Sequence, residues 1–331
     1  MKQFKVAVVG ALGAVGTEMR KTLEQRNFPV SEFIPLDAGS NAGKTVKFHG
    51  KDVPVKKAGR GAFSGIDIAL FAVGADTSME LAPIAVKEGT IVIDNSSAWR
   101  MDESVPLIIP EVNPEALKKH KGLIANPNCS TIQMLVVAKP LHDAFKIKRI
   151  VVSTYQAVSG SGTPAIMELT SQAKAFAANL PLENSVYPKQ ILFNAIPQID
   201  DFLEDGYTKE EMKMVNETHK ILDPEIQVCP TAVRVPIYRC HSEALNLETI
   251  KPVTPEAACE VLSKAKGVKI IDNPSKGEYP TVFDADGNDT VYVGRIRQDY
   301  SIANGINMWI VADNLRKGAA LNAVQIAELL I

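Results

Sequence analysis

Cysteine is scarce in this chain. There are four in 331 residues, with no Cys-x-x-Cys pair and no zinc-like spacing to the five histidines. That argues against a structural metal and for a reducing compartment, the cytoplasm by default. An excess of one charge is also lacking: 36 basic and 38 acidic side chains leave a net charge of −2. The chain therefore has no electrostatic footprint for nucleic acid or for an anionic membrane surface. No apolar run approaches the roughly 18 residues that a membrane span needs. The run Val6–Val9 is too short for a secretory core and reads as the first strand of a folded domain. What remains is a chain with 46% apolar and 22% charged residues, soluble in type and long enough for two domains.

The most informative segment is Asn126-Pro127-Asn128-Cys129-Ser130-Thr131. Gly122–Ala125 ahead of it reads as a buried strand. Ser130–Ala138 behind it reads as a helix ending near Lys139-Pro140. Cys129 then stands at a helix N-terminus, where unpaired N–H groups and the macrodipole favour a thiolate. A buried structural cysteine is the ordinary alternative. The Pro and Asn neighbours, the strand–turn–helix setting and a downstream histidine favour a nucleophile.

Val6–Val9 flows into Gly10-Ala11-Leu12-Gly13-Ala14-Val15-Gly16 and then an amphipathic helix from about Val15 to Arg26. Three glycines in this spacing provide a tight turn, close approach to a pyrophosphate, and close helix–strand packing. Further strands are expected at Phe33–Leu36, Asp67–Gly74 and Thr90–Asp94. A helix is expected from Thr77, as its cap, to Lys87. Near-continuous apolar strands alternating with helices indicate a doubly wound parallel sheet of Rossmann type. Past Cys129 the texture changes to longer strands, Arg149–Val158 and the alternating Val291–Arg297. The boundary is placed at 126, giving a dinucleotide-binding domain 1–126 and a catalytic domain 127–312. An acidic residue about twenty positions after the glycines suits the ribose hydroxyls of NAD, and Asp37 falls there. No Arg or Lys stands between Asp37 and Lys44 to receive the 2′-phosphate of NADP.

A cysteine nucleophile needs a base. His241 follows the strand-like Arg234–Cys240 and precedes Ser242-Glu243, a strand end suited to holding an acid/base group. His49, His120 and His142 lie in polar loops or helix ends. Cys240 is expected to pack, pointing away from His241, and Cys229 and Cys259 also read as packing residues. Arg100, Lys220 and Arg234 are candidates for anionic substrate groups. Thiolate, base and nicotinamide in one chain imply acyl-group redox chemistry through a covalent thioester.

At this point the chain resembles the aspartate-semialdehyde dehydrogenase family over nearly its whole length. The matching stretches are Gly10–Gly16, Val92–Met101, Ala125–Thr131, Thr154–Gly160, Glu217–Lys220, Arg234–Pro236 with His241–Glu243, and Asp313–Ala320. The resemblance implies a Rossmann domain completed by a C-terminal helix (313–331), and a glyceraldehyde-3-phosphate-dehydrogenase-like α+β domain that forms a homodimer. It implies Cys129 as the thioester nucleophile, His241 as acid/base and Gln156 as the residue orienting the acyl group. Arg234 is implied for the substrate carboxylate, Glu217 for its ammonium, and Arg100, Lys220 and Asn128 for the phosphate. Gly10, Leu12, Gly13, Ala14, Val15 and Gly16 would hold the cofactor's pyrophosphate, with Ser159, Gly160 and Asn314 at its nicotinamide end. The implied reaction reduces 4-phospho-L-aspartate to L-aspartate 4-semialdehyde, feeding lysine, threonine, methionine and isoleucine synthesis. NADP-using members usually carry Arg, often followed by Ser, after the second strand. The resemblance implies NADP, but here Ser40 and Asn41 stand there, with Asp37 just before, so NAD or dual use is also open. N-acetyl-γ-glutamyl-phosphate reductase shares this architecture but needs no site for a free ammonium. A non-catalytic dinucleotide-binding relative would be expected to have lost Cys129 or His241.

Overall fold

The computed structural model describes residues 3–331. The chain divides into two compact units, one of residues up to Asn128 together with Ala319–Ile331, the other Cys129–Gly318. The division thus falls between Asn128 and Cys129, and the return falls at 318/319, where the sequence reading has 126 and 312.

The first unit is built on a parallel sheet of β1 (Phe4–Val9), β2 (Val30–Asp37), β5 (Lys56–Lys57), β6 (Ile68–Phe71), β7 (Ile91–Asp94) and β8 (Leu123–Ala125). Its order is β5-β2-β1-β6-β7-β8, and β3 (Thr45–Phe48) and β4 (Lys51–Pro54) form a separate hairpin. Alternation along β1 explains the two cores. Val6 and Val8 pack with Met19 and Leu23 of α1 (Ala14–Gln25) and with Val324 and Ile326 of the C-terminal helix (Leu321–Glu328). Ala7 and Val9 face Leu81 and Ala82 of α2 (Ala75–Lys87). The C-terminal helix is tied down by Asn322, whose amide donates to the Ile108 carbonyl at 3.0 Å and to Asn126 Oδ1 at 2.7 Å. Pro35 is tolerated in β2 because β5 pairs only with Leu36 and Asp37, leaving one side of Pro35 unpaired. The expectation that Thr77 caps α2 is wrong. The helix starts at Ala75 with Gly74 as its cap, which places Thr77 in the first turn.

The second unit carries a mixed sheet of order β10-β9-β11-β14-β13-β12. Its strands are β9 (Ile147–Gln156), β10 (Gln227–Arg234), β11 (His241–Thr249), β12 (Val268–Ile270), β13 (Val291–Asp299) and β14 (Gly305–Ala312). Helix α3 (Cys129–Phe145) packs against β9, β11, β13 and β14 and against α5 (Lys209–Ile221) and α6 (Pro255–Ser263). The other α-helices of this unit are α4 (Thr163–Ala177) and the one-turn α7 (Val282–Ala285). The sequence ends α3 near Pro140, whereas the helix runs through it to Phe145. Pro140 costs one backbone hydrogen bond. Burial of nearly every residue from Ser130 to His142 outweighs that loss. His142 lies in the last turn of α3, the helix end expected of it, buried with Nε2 3.3 Å from Asp223. Among the described residues, no helix is long and apolar enough to cross a membrane.

Candidate active site

In the first unit the strand order reverses at β1, which has β2 on one side and β6 on the other. A cavity of about 560 Å³ opens at the carboxyl ends of these strands, lined among others by Gly10, Leu12, Gly13, Asp37, Asn41 and Thr77. This is where doubly wound sheets hold nucleotides. The glycines have different tasks. A Cβ on Gly10 would meet the Ala72 carbonyl oxygen at 2.4 Å, and one on Gly16 would meet the Gly10 carbonyl oxygen at 2.1 Å. Gly13 has no such neighbour inside 3.4 Å, so its bareness keeps the cavity open at the start of α1, where free N–H groups suit a pyrophosphate. The cavity fits a dinucleotide. Gly16, Ala14, Val15 and Ser40 do not line it.

Asp37 accepts from the Leu12 N–H at 3.2 Å, the Ala38 N–H at 2.8 Å and the Asn41 amide at 2.8 Å. Two cations that the sequence separates from Asp37 return to the same turn. Lys44 Nζ donates to Asn41 Oδ1 at 2.7 Å, and the Lys57 stem lies along Gly39, 3.4 Å from where a Cβ would stand. In the same unit Arg100 is buried and donates to the Asn126 and Asn95 carbonyls at 2.9 and 2.8 Å. Asn128, the last residue of this unit's first segment, is also buried.

In the second unit, parallel β9 and β10 end at Gln156 and Arg234, and antiparallel β11 begins at His241. Three polar side chains thus converge on one end of the sheet, and all are buried. Gln156 Nε2 donates to Glu210 Oε1 at 3.1 Å, and its Oε1 accepts from the Thr154 hydroxyl at 3.0 Å. Arg234 Nη1 donates to the Ala157 carbonyl at 2.7 Å, while its Nε is buried without a partner. His241 Nδ1 accepts from the Ala157 N–H at 3.0 Å. The neutral ring therefore carries its proton on Nε2, which is buried and unpartnered. Gly160 makes room for this pair: a Cβ there would fall 2.9 Å from Arg234 Nη1 and 3.5 Å from His241 Nε2.

Burial, reinforced by the Arg234 charge, pushes the His241 pKa down to about 3, against a smaller opposing effect of Glu210. Since the unfolded ring titrates near 6.5, this group costs stability as pH falls from 6.5 towards 3. His241→Gln should flatten the stability–pH curve in that window by about 1.4 kcal/mol per pH unit crossed. Urea unfolding of parent and variant between pH 7 and pH 3.5 measures it, and parallel curves would refute it.

Cys129 opens α3, half-buried, with Gly318 against it. A Cβ on Gly318 would lie 2.8 Å from Cys129 Cβ and 3.6 Å from Asn314 Cβ. Asn314 bridges two loops: its Oδ1 accepts from the Cys240 N–H at 2.9 Å and its Nδ2 donates to the Ser159 hydroxyl at 2.9 Å. Glu217 is buried in α5 on the face that carries Glu210, with Lys220 in the same last turn. Two functional residues escape the sequence reading. Glu210 orients Gln156, and its seven-residue spacing from Glu217 was the available signal; Gly318 lies within a stretch noted only for resemblance. Cys240 packs as expected, among Ala285, Tyr292 and Val311, and burial raises its thiol pKa. Its Sγ converges with Asp286 and Asp313. Arg239 already supplies a cation there, at 2.8 Å from Asp313 and 3.3 Å from Asp286.

The geometry can be set beside known proteins. Residues 5–120 match the family model for the semialdehyde dehydrogenase NAD binding domain, and residues 138–317 match the semialdehyde dehydrogenase dimerisation domain. The aspartate-semialdehyde dehydrogenase of Aquifex aeolicus is 55% identical over 99% of this chain and 98% of its own. That of Bacillus subtilis is 50% identical over 98% and 96%. Aspartate semialdehyde dehydrogenase II of Vibrio cholerae, solved in complex with ASA, superposes with a TM-score of 0.97 at 50% identity, covering 100% of this chain and 98% of that one.

Proposed function

The chain belongs to the aspartate-semialdehyde dehydrogenase family, and we propose that it catalyses reductive dephosphorylation of 4-phospho-L-aspartate to L-aspartate 4-semialdehyde with NAD(P)H. The observation that carries the reading is the convergence of Gln156, Arg234 and His241 at one sheet end in the unit that Cys129 opens. The Cys129 thiolate attacks the acyl-phosphate carbon; the C–S bond forms, the C–O bond to phosphate breaks, and inorganic phosphate leaves. A nicotinamide dinucleotide with its pyrophosphate held at Gly10 and Gly13 would supply the hydride that reduces the thioester. His241 Nε2–H then donates a hydrogen bond to the alkoxide, which collapses to the aldehyde and expels the thiolate.

Gln156, fixed by Glu210 and Thr154, orients the acyl group. Arg234 has its Nε left for the substrate carboxylate, to which a guanidinium is matched. Glu217 would meet the ammonium, and Arg100, Asn128 and Lys220 the phosphate. Ser159, Gly160 and Asn314 would border the nicotinamide. The dimerisation-domain match and the exposed Met167, Phe176, Leu180 and Phe193 support a homodimer through this face of the second unit.

For the coenzyme, Asp37 already takes three protein donors, while Lys44 and Lys57 stand at the adjacent turn. Both coenzymes should bind, with the 2′-phosphate of NADP held by the two lysines. Replacing both by Ala should raise the NADPH dissociation constant about tenfold and leave NADH within about twofold. Fluorescence titration at two salt concentrations measures this; equal losses for both coenzymes would refute it. The activity itself is tested by oxidising L-aspartate 4-semialdehyde with phosphate, following reduced nicotinamide, with NADP and NAD in parallel. Phosphate-dependent turnover supports the proposal. Silence there, with turnover of the N-acetylated glutamyl substrate, would move the assignment to that reductase.

A further inference from the structure

Glu243 takes no part in these steps, yet it has no exposed surface and neither carboxyl oxygen has a hydrogen-bond partner. Its place is fixed by register. It lies opposite Thr154 of β9 and Ile310 of β14. The period of two in a strand puts it on the face that carries His241 and Gln156, one row further from the sheet end. Helix α3 covers β9, β11 and β14. From it, one turn after Cys129, comes Gln133, whose side chain acts on the Glu243 carboxyl against the larger effect of burial. The Gln133 Nε2 is itself buried without a partner, and the Thr154 hydroxyl is committed to Gln156.

Among the described residues, no cation acts on the Glu243 carboxyl, and the Arg234 charge lies at the sheet end, opposite Gln156. α3 contributes Gln133, with Cys129 a turn away as its titratable group; β9 contributes Thr154 and Gln156, and β14 contributes Ile310. On β11 itself the titratable neighbour is His241, held neutral. An ionised carboxylate so placed would be uncompensated, and burial indeed pushes the Glu243 pKa well above its usual range.

We propose that Glu243 is a positioning residue: a neutral carboxylic acid, set against the Gln133 amide, that seats the first turns of α3 on β11 and so holds Cys129 and His241 in register. Neutrality has a second effect, because a charge behind α3 would oppose the Cys129 thiolate. The inference rests on the roles proposed above for Cys129 and His241.

Three measurements test it. The folded parent enzyme at pH 8 should show the carbonyl stretch of a protonated carboxylic acid in its infrared spectrum, and Glu243→Gln should lack that band. The unfolded carboxyl ionises above about 4.5 while the folded one stays protonated, so the parent loses stability as pH rises from there. Glu243→Gln, whose amide does not titrate, should therefore melt higher than the parent at pH 8, with the gain vanishing towards pH 4.5. In turnover, Glu243→Leu should lose at least about tenfold in kcat with KM unchanged, and Glu243→Gln should restore it to within about twofold. Absence of the infrared band, or Gln as damaging as Leu, would overturn the neutral acid. Full activity of Glu243→Leu would overturn the positioning role. The infrared and melting readouts need no substrate, so they stand or fall apart from the assigned reaction.

Discussion

Cys129→Ser removes turnover, by at least about 10⁴-fold, while the dissociation constants for NADH and NADPH stay within about twofold. The hydroxyl has nearly the volume of the thiol, so the contact with Gly318 is kept. What is lost is the nucleophile: a serine there has no base to activate it, because His241 is buried, neutral, and has Nδ1 engaged by Ala157. The residues proposed to hold the pyrophosphate and ribose belong to the other unit, and Ser keeps the shape of the thiol beside the nicotinamide end, so binding is spared. Alkylation gives a second readout. Cys240 has no exposed surface and its thiol pKa is pushed up by burial and by Asp313 and Asp286, so it should resist iodoacetamide. Cys229 is exposed and is replaced by Ser as the control. Loss of activity should then track a single label on Cys129, read by mass spectrometry. Residual turnover of Cys129→Ser above about one per cent would exclude the covalent route.

The parts legible in the sequence are those governed by near neighbours. Val6–Val9 feeding three glycines reads as a strand and a nucleotide turn because each glycine's task is decided within the turn or by the next strand. Cys129 reads as a helix start because Pro127 and Asn128 break the chain just before an apolar run. What escaped depends on distant residues. Pro140 suggests a helix end, but burial on sheet, α5 and α6 together carries the helix on to Phe145. Gly74 displaces Thr77 as the cap because the chain leaves β6 at that point. Lys44 and Lys57 lie seven and twenty residues beyond Asp37, and only the pairing of β2 with β5 and the turn at Gly39–Asn41 bring them to its side. The spacing of Glu210 from Glu217 puts it on one helix face, but its partner Gln156 is 54 residues away and only the fold brings them together.

The glycine turn allows folding and binding to be separated. Gly10 has φ +81°, and a Cβ there would meet the Ala72 carbonyl oxygen at 2.4 Å and its carbon at 3.0 Å. Both obstacles are backbone directly after the end of β6 and cannot swing aside. A Cβ on Gly16 would stand 2.1 Å from the Gly10 carbonyl oxygen, which pins α1 to the turn. Gly10→Ala and Gly16→Ala should each destabilise the first unit by about 3 kcal/mol or more, through strain and forced separation of α1 from the sheet. Gly13 differs: it has φ −70° as the helix cap, and its nearest neighbour would be 3.4 Å away. Gly13→Ala should therefore melt within about 1 °C of the parent, since an ordinary contact at an allowed backbone conformation costs little. The new methyl group projects into the cavity where the pyrophosphate is proposed to lie, so NADH and NADPH affinity should fall together by at least about tenfold. Melting curves and fluorescence titrations on the three variants decide it. Equal destabilisation of all three would make Gly13 a fold residue, and unchanged affinity in Gly13→Ala would remove the pyrophosphate from this turn.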